Sequence, residues 1–158
     1  MPQTKKPKTV TNPEPIIFFY SEDTPFSLRN RKQLRDWINT AILQESALPG
    51  PVNFIFCSDI YLLQLNETYL KHNTYTDIIT FDYSLGTGIH RIVSGDIYIS
   101  IDRVRDNART FGVRINHELH RVMIHGILHL VGYKDKQPSQ KQEMTGKEDY
   151  YLSLLVIS

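Results

Sequence analysis

The chain has 158 residues, of which 41% are hydrophobic and 22% charged, and its formal net charge is +1. This is the composition of an ordinary soluble globular protein, long enough for one domain with a hydrophobic core. Apolar runs such as 15–20 are too short to span a bilayer, and the single cysteine, Cys57, excludes an internal disulfide. The polar N-terminus carries no pattern of a secretory signal, so we expect a cytoplasmic protein.

The first half of the chain alternates predicted strands and helices. Residues 1–14 show no apolar periodicity and predict a flexible tail, which leaves 15–158 as a single domain. Four elements follow from the spacing of apolar residues, namely a strand over 16–20, an amphipathic helix over 27–47, a strand over 52–57 and a helix over 58–69. Pro49-Gly50-Pro51 is expected to end the first helix, and Ser58 to cap the second.

The second half predicts two more strands and three more helices. The strands are expected at 78–83 and 96–101, and the helices at 102–111, 116–130 and 139–155. Asp102 and Ser139 are predicted N-caps, while Gly112 and Gly132 are predicted stops. Together these elements indicate a mixed α+β fold, with a small, mostly four-stranded sheet packed against about five helices.

Charge is distributed unevenly along the chain. Residues 50–101 contain two Lys and Arg against five Asp and Glu, whereas 102–136 contain seven against four. The basic segment also holds four of the six histidines. A polyanion such as RNA would be attracted to that segment, although a solvated helix surface has the same charge pattern.

The most informative stretch is 124–135, which holds two histidines on one predicted helix. His125 and His129 are four residues apart, so their side chains project from one face about a turn apart. Two imidazoles at this spacing can bind one metal ion. Gly132 allows the chain to turn back, and Asp135 then supplies a third ligand. A lone helical histidine is more often structural, but the trailing glycine and carboxylate favour a metal site on this central helix.

Two histidines and one carboxylate form a known ligand set for catalytic zinc, in which water takes the fourth position. The ion lowers the pKa of that water from about 15.7 towards 7 and polarises a phosphoryl oxygen. We therefore expect one Zn²⁺ per chain, with another divalent transition metal as the alternative. The two histidines would then be catalytic as well as metal-binding.

The residue after the first histidine distinguishes this motif from that of zinc peptidases. Peptidases of the H-E-x-x-H type have a glutamate after the first histidine as general base, and this chain has Gly126 there. Glu118 lies two helical turns before His125 and faces the same side. It is a candidate to orient that histidine or to move a proton. The alternative is a surface carboxylate paired with Arg121 or Arg114.

Several motifs together resemble the YbeY family of endoribonucleases. His125 to Tyr133 stands as H-G-x-L-H-L-x-G-Y, the hallmark of that family, and Glu118 falls where the family has a glutamate. The other matching segments are Leu65-Asn66 with Tyr69, Thr76-Asp77-Ile78-Ile79-Thr80-Phe81, and Gly95-Asp96-Ile97. The resemblance covers about residues 50–136, and the overall length also fits.

The resemblance implies a bacterial, single-domain, metal-dependent endoribonuclease specific for single strands. It implies a role in 3′-end maturation of the small-subunit (16S) ribosomal RNA and in ribosome quality control, with zinc as the usual metal. The expected partners are ribosomal RNA and the small ribosomal subunit, and the expected state is a monomer.

This chain departs from the family pattern at two positions. The family has a third histidine where this chain has Asp135, which Lys134 and Lys136 flank. The family also usually carries an arginine after the tyrosine of L-N-x-x-Y, and Leu70 stands there instead. The adjacent Lys71 lacks the bidentate grip of an arginine on phosphate.

Basic residues around the histidines are candidates to contact RNA phosphates. They are Lys71, Arg105, Arg109, Arg114 and Lys134, with Arg121 expected to take part in catalysis. Each of them taken singly is more often a solvated surface charge than a phosphate contact. Two other functions remain open, a ribosome-associated binding factor with a structural metal and, on the paired histidines alone, a zinc-dependent peptidase.

Overall fold

The computed structural model describes residues 16–157, so the tail predicted over 1–14 lies outside the described residues. In chain order the elements are β1 (Ile17–Ser21), α1 (Arg31–Gln44), β2 (Leu48–Cys57), α2 (Asp59–Leu65), β3 (Ile78–Asp82), β4 (Ile92–Ser100), α3 (Ile101–Phe111), α4 (Ile115–Val131) and α5 (Pro138–Leu154). A π-helical turn, Asn66–Leu70, continues α2, and a 3₁₀ turn, Gly88–His90, precedes β4. The predicted α+β fold, with four strands and five helices, is confirmed. Between residues 16 and 157, no helix is both long and apolar enough to cross a membrane.

The four strands form one mixed sheet in the order β1-β2-β4-β3. β1, β2 and β4 run parallel, and β3 runs antiparallel to β4. Parallel neighbours need a crossover connection, which α1 provides between β1 and β2. The register aligns Phe19 with Phe54, and Phe54 with Ile97, so these three buried side chains line one face of the sheet.

The two faces of the sheet carry different apolar clusters. The larger cluster joins Phe54 and Ile97 to buried residues of α1 and α4. Tyr98 follows Ile97 and therefore points to the opposite face, where a smaller cluster lies around Cys57 and Leu62 beneath α2. Helix α1 packs through one stripe at helical spacing, consisting of Leu34, Trp37, Ile38, Ala41 and Ile42.

Helix α4 lies at the centre of the molecule and contacts α1, α3, α5, β3 and β4. Most of its residues from Glu118 to Leu130 are buried. A Cβ atom at Gly126 would lie 3.0 Å from methyl groups of both Ile78 and Ile97, closer than ordinary packing allows. The glycine therefore permits the helix to approach the sheet at this point. The same approach leaves no space for the glutamate that an H-E-x-x-H peptidase carries.

Several element boundaries differ from the predicted ones. β2 begins at Leu48 because the chain continues through Pro49-Gly50-Pro51 as an irregular strand with a register shift before Val52. The α3 cap is Ser100 rather than Asp102, since the Ser100 hydroxyl accepts the Arg103 N–H at 3.1 Å. Gln137 rather than Ser139 precedes α5, because Pro138 occupies the first helical position.

We expect Gly126→Ala to destabilise the fold by about 1 kcal/mol net. Overpacking costs about 1–3 kcal/mol, and the helix propensity of alanine returns about 1 kcal/mol. Gly146 is the matched control, because it lies exposed in α5 and a Cβ atom added there would meet nothing within 4 Å. Gly146→Ala should raise stability by up to about 1 kcal/mol. Urea unfolding of both variants measures the difference, and equal effects at the two sites would contradict the packing argument.

Candidate metal centre

Helix α4 and the turn after it position the three predicted ligands. His125 and His129 lie one turn apart on a partly exposed flank of α4, and their side chains are 22% and 26% exposed. Gly132 ends the helix with a φ of 128°, a value that side chains rarely tolerate. The Tyr133 N–H then donates to the Leu128 carbonyl at 3.0 Å, which reverses the chain and carries Asp135 back to the histidines.

The donor atoms of these three residues converge on one point. One Asp135 carboxylate oxygen lies 3.3 Å from Nε2 of His125 and 3.3 Å from Nε2 of His129. The two Nε2 atoms are 3.0 Å apart. Zn–N bonds of about 2.0–2.1 Å separate two tetrahedral ligands by about 3.3 Å. The three residues therefore have the spacing of three corners of a tetrahedral site, and this group could bind a metal ion.

Hydrogen bonds behind the imidazoles determine which ring nitrogen is free. Nδ1 of His129 lies 3.0 Å from the Tyr133 carbonyl oxygen, which only accepts, so Nδ1 must carry the proton. Nδ1 of His125 lies 2.6 Å from a carboxylate oxygen of Glu148 and donates to it in the same way. In the neutral rings, both Nε2 atoms then keep a lone pair for a metal ion.

Glu148 on α5 is the principal site residue that sequence reasoning missed. Its second oxygen accepts from Nη1 of Arg121 at 2.9 Å, and Nη2 of Arg121 binds Asp149 at 2.6 Å. The predicted catalytic arginine therefore holds the carboxylate that orients His125. No spacing rule could reveal Glu148, because it lies on a different helix from the histidines and outside the segment that carries the family resemblance.

A cleft of about 320 Å³ adjoins His125, and most of its polar lining is acidic. The lining residues are Asp77, Glu118, Arg121, Val122, His125, Asp135 and Glu148. Asp77, which belongs to one of the segments that resemble the family, thus lies beside the candidate centre. Glu118 is 4% exposed, and within residues 16–157 no side-chain hydrogen bond joins it to His125. Its predicted position on the same side of α4 is observed, whereas the partner of the His125 ring is Glu148.

The surrounding charges alter the pKa values of the site. Burial disfavours the charged imidazolium of His125, but the hydrogen bond to Glu148, the charge of Glu148 and then that of Asp135 outweigh it and raise the pKa. Burial, followed by the charge of Asp77, raises the pKa of Glu118. The negative field that favours a proton on His125 also favours a metal cation at the same place.

The predicted RNA-contacting residues lie at different distances from this centre. Lys134 is exposed in the ligand turn, directly before Asp135. Arg105 and Arg114 line another groove, at the N-terminal end of α4, and eleven residues of helix separate Arg114 from His125 by about 16 Å. Arg109 is exposed and pairs with Asp106 at 3.7 Å.

The segment around the missing family arginine is exposed. Leu70 is 44% exposed at the end of the π-helical turn. Lys71 follows it with a φ of 55° and is also exposed. Neither is among the described residues that line the cleft, where Arg121 is the arginine present.

The sequence matches one family model and several named relatives over most of its length. The family model described as endoribonuclease YbeY matches residues 18–156. Endoribonuclease YbeY of Cytophaga hutchinsonii is 52% identical over 141 residues, which covers 89% of this chain and 96% of that protein. The Flavobacterium psychrophilum protein of the same name is 50% identical over 139 residues, 88% of this chain and 95% of the relative.

The fold also resembles a protein of known structure. The solution structure of TM1509 from Thermotoga maritima superposes with a TM-score of 0.61 at 27% sequence identity, and the match covers 88% of each chain. The likeness therefore extends over nearly the whole domain. With the family model matching nearly all of the described residues, the chain belongs to the YbeY endoribonuclease family.

Proposed function

We propose that this protein is a metal-dependent endoribonuclease that cleaves single-stranded segments of ribosomal RNA. The observation that carries the proposal is the convergence of His125, His129 and Asp135, with donor separations of 3.0–3.3 Å. The relatives named endoribonuclease YbeY support an RNA substrate. We expect the protein to act as a monomer in the cytoplasm. Its expected targets are the 3′ end of the small-subunit ribosomal RNA and defective ribosomes.

The two imidazoles and the carboxylate would hold one divalent ion, and their nitrogen and oxygen donors suit Zn²⁺. When bound, such an ion supplies Lewis acidity towards a phosphoryl oxygen and lowers the pKa of a coordinated water. The proposed ligand set supplies three donors, so one corner of a tetrahedron is left for water or substrate. Glu148 and the Tyr133 carbonyl hold the rings in the orientation that this requires.

Residues in the cleft would handle the proton and the phosphate. The raised pKa of Glu118 makes its carboxyl a better proton donor near neutral pH than an ordinary glutamate. It is our candidate to protonate the leaving oxygen of the cleaved bond. Arg121 is partly exposed, at 27% of its side chain, and offers a cation to the phosphate while it holds Glu148.

The basic residues outside the cleft would bind the rest of the RNA strand. Lys134 lies next to the ligand and would contact a phosphate near the cleaved bond. Arg105 and Arg114 line the separate groove at the N-terminal end of α4, so only an RNA several nucleotides long would reach both them and the metal. Arg109, exposed on α3, is proposed to contact the same strand. Lys71 is proposed for the same role. Binding through such contacts weakens with increasing salt.

One observation favours a second candidate, a ribosome-associated factor in which the metal is structural. The family arginine is replaced by the exposed Leu70, which provides no phosphate contact there. A peptidase has less support, because residue 126 faces the sheet where a glutamate does not fit. The nuclease and the binding factor differ in whether the metal ligands are needed for RNA cleavage.

Purified protein should contain about one divalent metal ion per chain, and Asp135→Ala should lose most of it, because two imidazoles alone leave the ion with half of its ligands. Asp106→Ala is the control, since Asp106 is an exposed acid of α3 that pairs with Arg109. Elemental analysis after gel filtration gives the metal-to-protein ratio. Equal metal content in both variants would exclude Asp135 as a ligand.

The parent protein should cleave a labelled single-stranded RNA faster than the same sequence in a duplex, and a chelator should stop the reaction. His129→Ala should lower the rate by more than about 100-fold, because loss of groups behind a metal ligand already costs 10–100-fold. His90→Ala is the control, as His90 is exposed on the 3₁₀ turn before β4 and lines neither the cleft nor the groove of Arg105 and Arg114.

Undiminished cleavage by His129→Ala would refute the catalytic proposal and point to a contaminating nuclease. A His129→Ala protein that cleaves no RNA yet fully restores ribosome maturation in a deletion strain would favour the binding factor.

A further inference from the structure

Glu45 is a largely buried acid near the metal centre that no sequence motif indicates. It follows α1, and its side chain is 9% exposed. One oxygen accepts the hydroxyl of Tyr133 at 2.8 Å, and the other accepts the hydroxyl of Tyr151 at 2.7 Å. Nζ of Lys147 lies 3.0 Å from that second oxygen. A single carboxylate thus joins α1 to α5 and to the turn after α4.

Tyr133 makes three hydrogen bonds, and together they determine the positions of two metal ligands. Its N–H donates to the Leu128 carbonyl at 3.0 Å, its carbonyl accepts from Nδ1 of His129 at 3.0 Å, and its hydroxyl donates to Glu45. Lys147 also lies 5.7 Å from the centroid of its ring. The position of this one residue therefore determines the orientation of His129 and the start of the segment that carries Asp135.

The ligand turn has few other attachments. Gly132 has wide conformational freedom, and Lys134 and Lys136 are exposed. In the described part of the chain, the Tyr133 hydroxyl makes the hydrogen bond that ties a side chain of 132–136 to another helix. Asp135 itself touches the two histidines. Without the Tyr133 anchor, little would hold the carboxylate in place before an ion binds.

We propose that Glu45 is a positioning residue of the metal centre, which acts through Tyr133 to hold Asp135 and the His129 ring in the geometry that binds the ion. The inference rests on the metal centre of the proposed function and adds a residue from a helix that contributes no ligand. The hydrogen bond between Tyr133 and Glu45 already orders the turn, so binding of the ion does not have to order it.

Glu45 is charged, which strengthens the anchor. Burial alone would raise the pKa of this carboxyl, but hydrogen bonds from Tyr151, Tyr133 and Lys147 outweigh burial and lower the pKa below its ordinary value. Hydrogen bonds to an ionised acceptor are shorter and stronger than those between neutral groups. The next residue after Lys147, Glu148, holds His125. Helix α5 therefore supports both imidazoles, that of His125 directly through Glu148 and that of the second histidine indirectly through Glu45.

The competing explanation is that Glu45 only ties α1 to α5 and has no effect on the metal. Tyr133 and Tyr151 separate the two explanations, because each donates one hydroxyl to the same carboxylate. Only Tyr133 belongs to the ligand turn, whereas Tyr151 is buried on α5. Tyr133→Phe and Tyr151→Phe each delete one oxygen atom and keep the ring, so both variants should fold.

The test measures Zn²⁺ affinity of the full-length, metal-depleted proteins by competition with a chromophoric chelator. We expect Tyr133→Phe to bind Zn²⁺ about 10–100-fold more weakly than the parent, as is usual when support behind a ligand is lost. Tyr151→Phe should retain the parental affinity. Glu45→Gln keeps a single acceptor oxygen, and its affinity should lie between those of the parent and Tyr133→Phe. Urea unfolding of the metal-free variants shows whether the two deletions cost similar stability.

Co²⁺ provides a second readout, since its visible absorption reports coordination geometry. The Co²⁺ complex of Tyr133→Phe should lose intensity in its tetrahedral bands, and that of Tyr151→Phe should match the parent. Equal weakening of Zn²⁺ binding in both tyrosine variants, or no weakening in Tyr133→Phe, would overturn the positioning role.

Zn²⁺ binding and RNA cleavage by the parent protein separate a wrong role for Glu45 from a wrong nuclease function. A parent protein that binds Zn²⁺ but cleaves no RNA contradicts the nuclease and leaves the positioning test intact. A parent protein that binds no Zn²⁺ contradicts both.

Discussion

The close approach of α4 to the sheet is the constraint on which the site depends. Gly126 has no side chain, so the helix backbone lies against Ile78 and Ile97. The residues on either side of that contact cannot rotate away from it without leaving a hole in the core. His125 directly precedes Gly126 and His129 follows it by three residues, so this contact fixes the rotation of the helix and places both histidines on one flank of it before any ion is present. The same contact leaves no room for a glutamate after the first histidine. Packing against the sheet therefore limits which residue can occupy position 126, and with it the chemistry of the site.

The electrostatics of the cleft indicate what a bound cation would contribute with an RNA substrate. The lining includes four carboxylates, from Asp77, Glu118, Asp135 and Glu148, and these outnumber its arginine. Such a surface repels a phosphodiester. A divalent ion at the histidines would reverse part of that field where the phosphate must lie. We therefore expect RNA to bind the cleft more tightly when the metal ion is present. The ion would reduce the repulsion of the phosphate and also supply the Lewis acid.

The parts of the site and of the fold that were predictable from the sequence are local in the chain. His125, His129 and Asp135 lie within eleven residues, so helical periodicity and one glycine are sufficient to bring them together. Apolar spacing likewise predicted all four strands and five helices, yet it left the strand order open. Glu148 comes from the next helix, and Glu45 lies 88 positions from the tyrosine it holds. Their contacts depend on how α1, α4 and α5 pack, which periodicity does not encode.

The carboxylate at position 135 changes the charge of the centre relative to a third imidazole. A divalent ion with two neutral histidines and Asp135 carries a net charge of about +1 instead of +2, which lowers its attraction for phosphate and its Lewis acidity. Lys134 and Lys136 are exposed on either side of that ligand and restore positive charge at the surface of the cleft. Because their charges act through solvent, they would attract the RNA strand of the proposed reaction but would not restore acidity at the proposed ion. Rigid placement of Asp135 by the Tyr133 turn then matters more than it would for a neutral ligand, since a displaced carboxylate would leave an unpaired charge beside the phosphate.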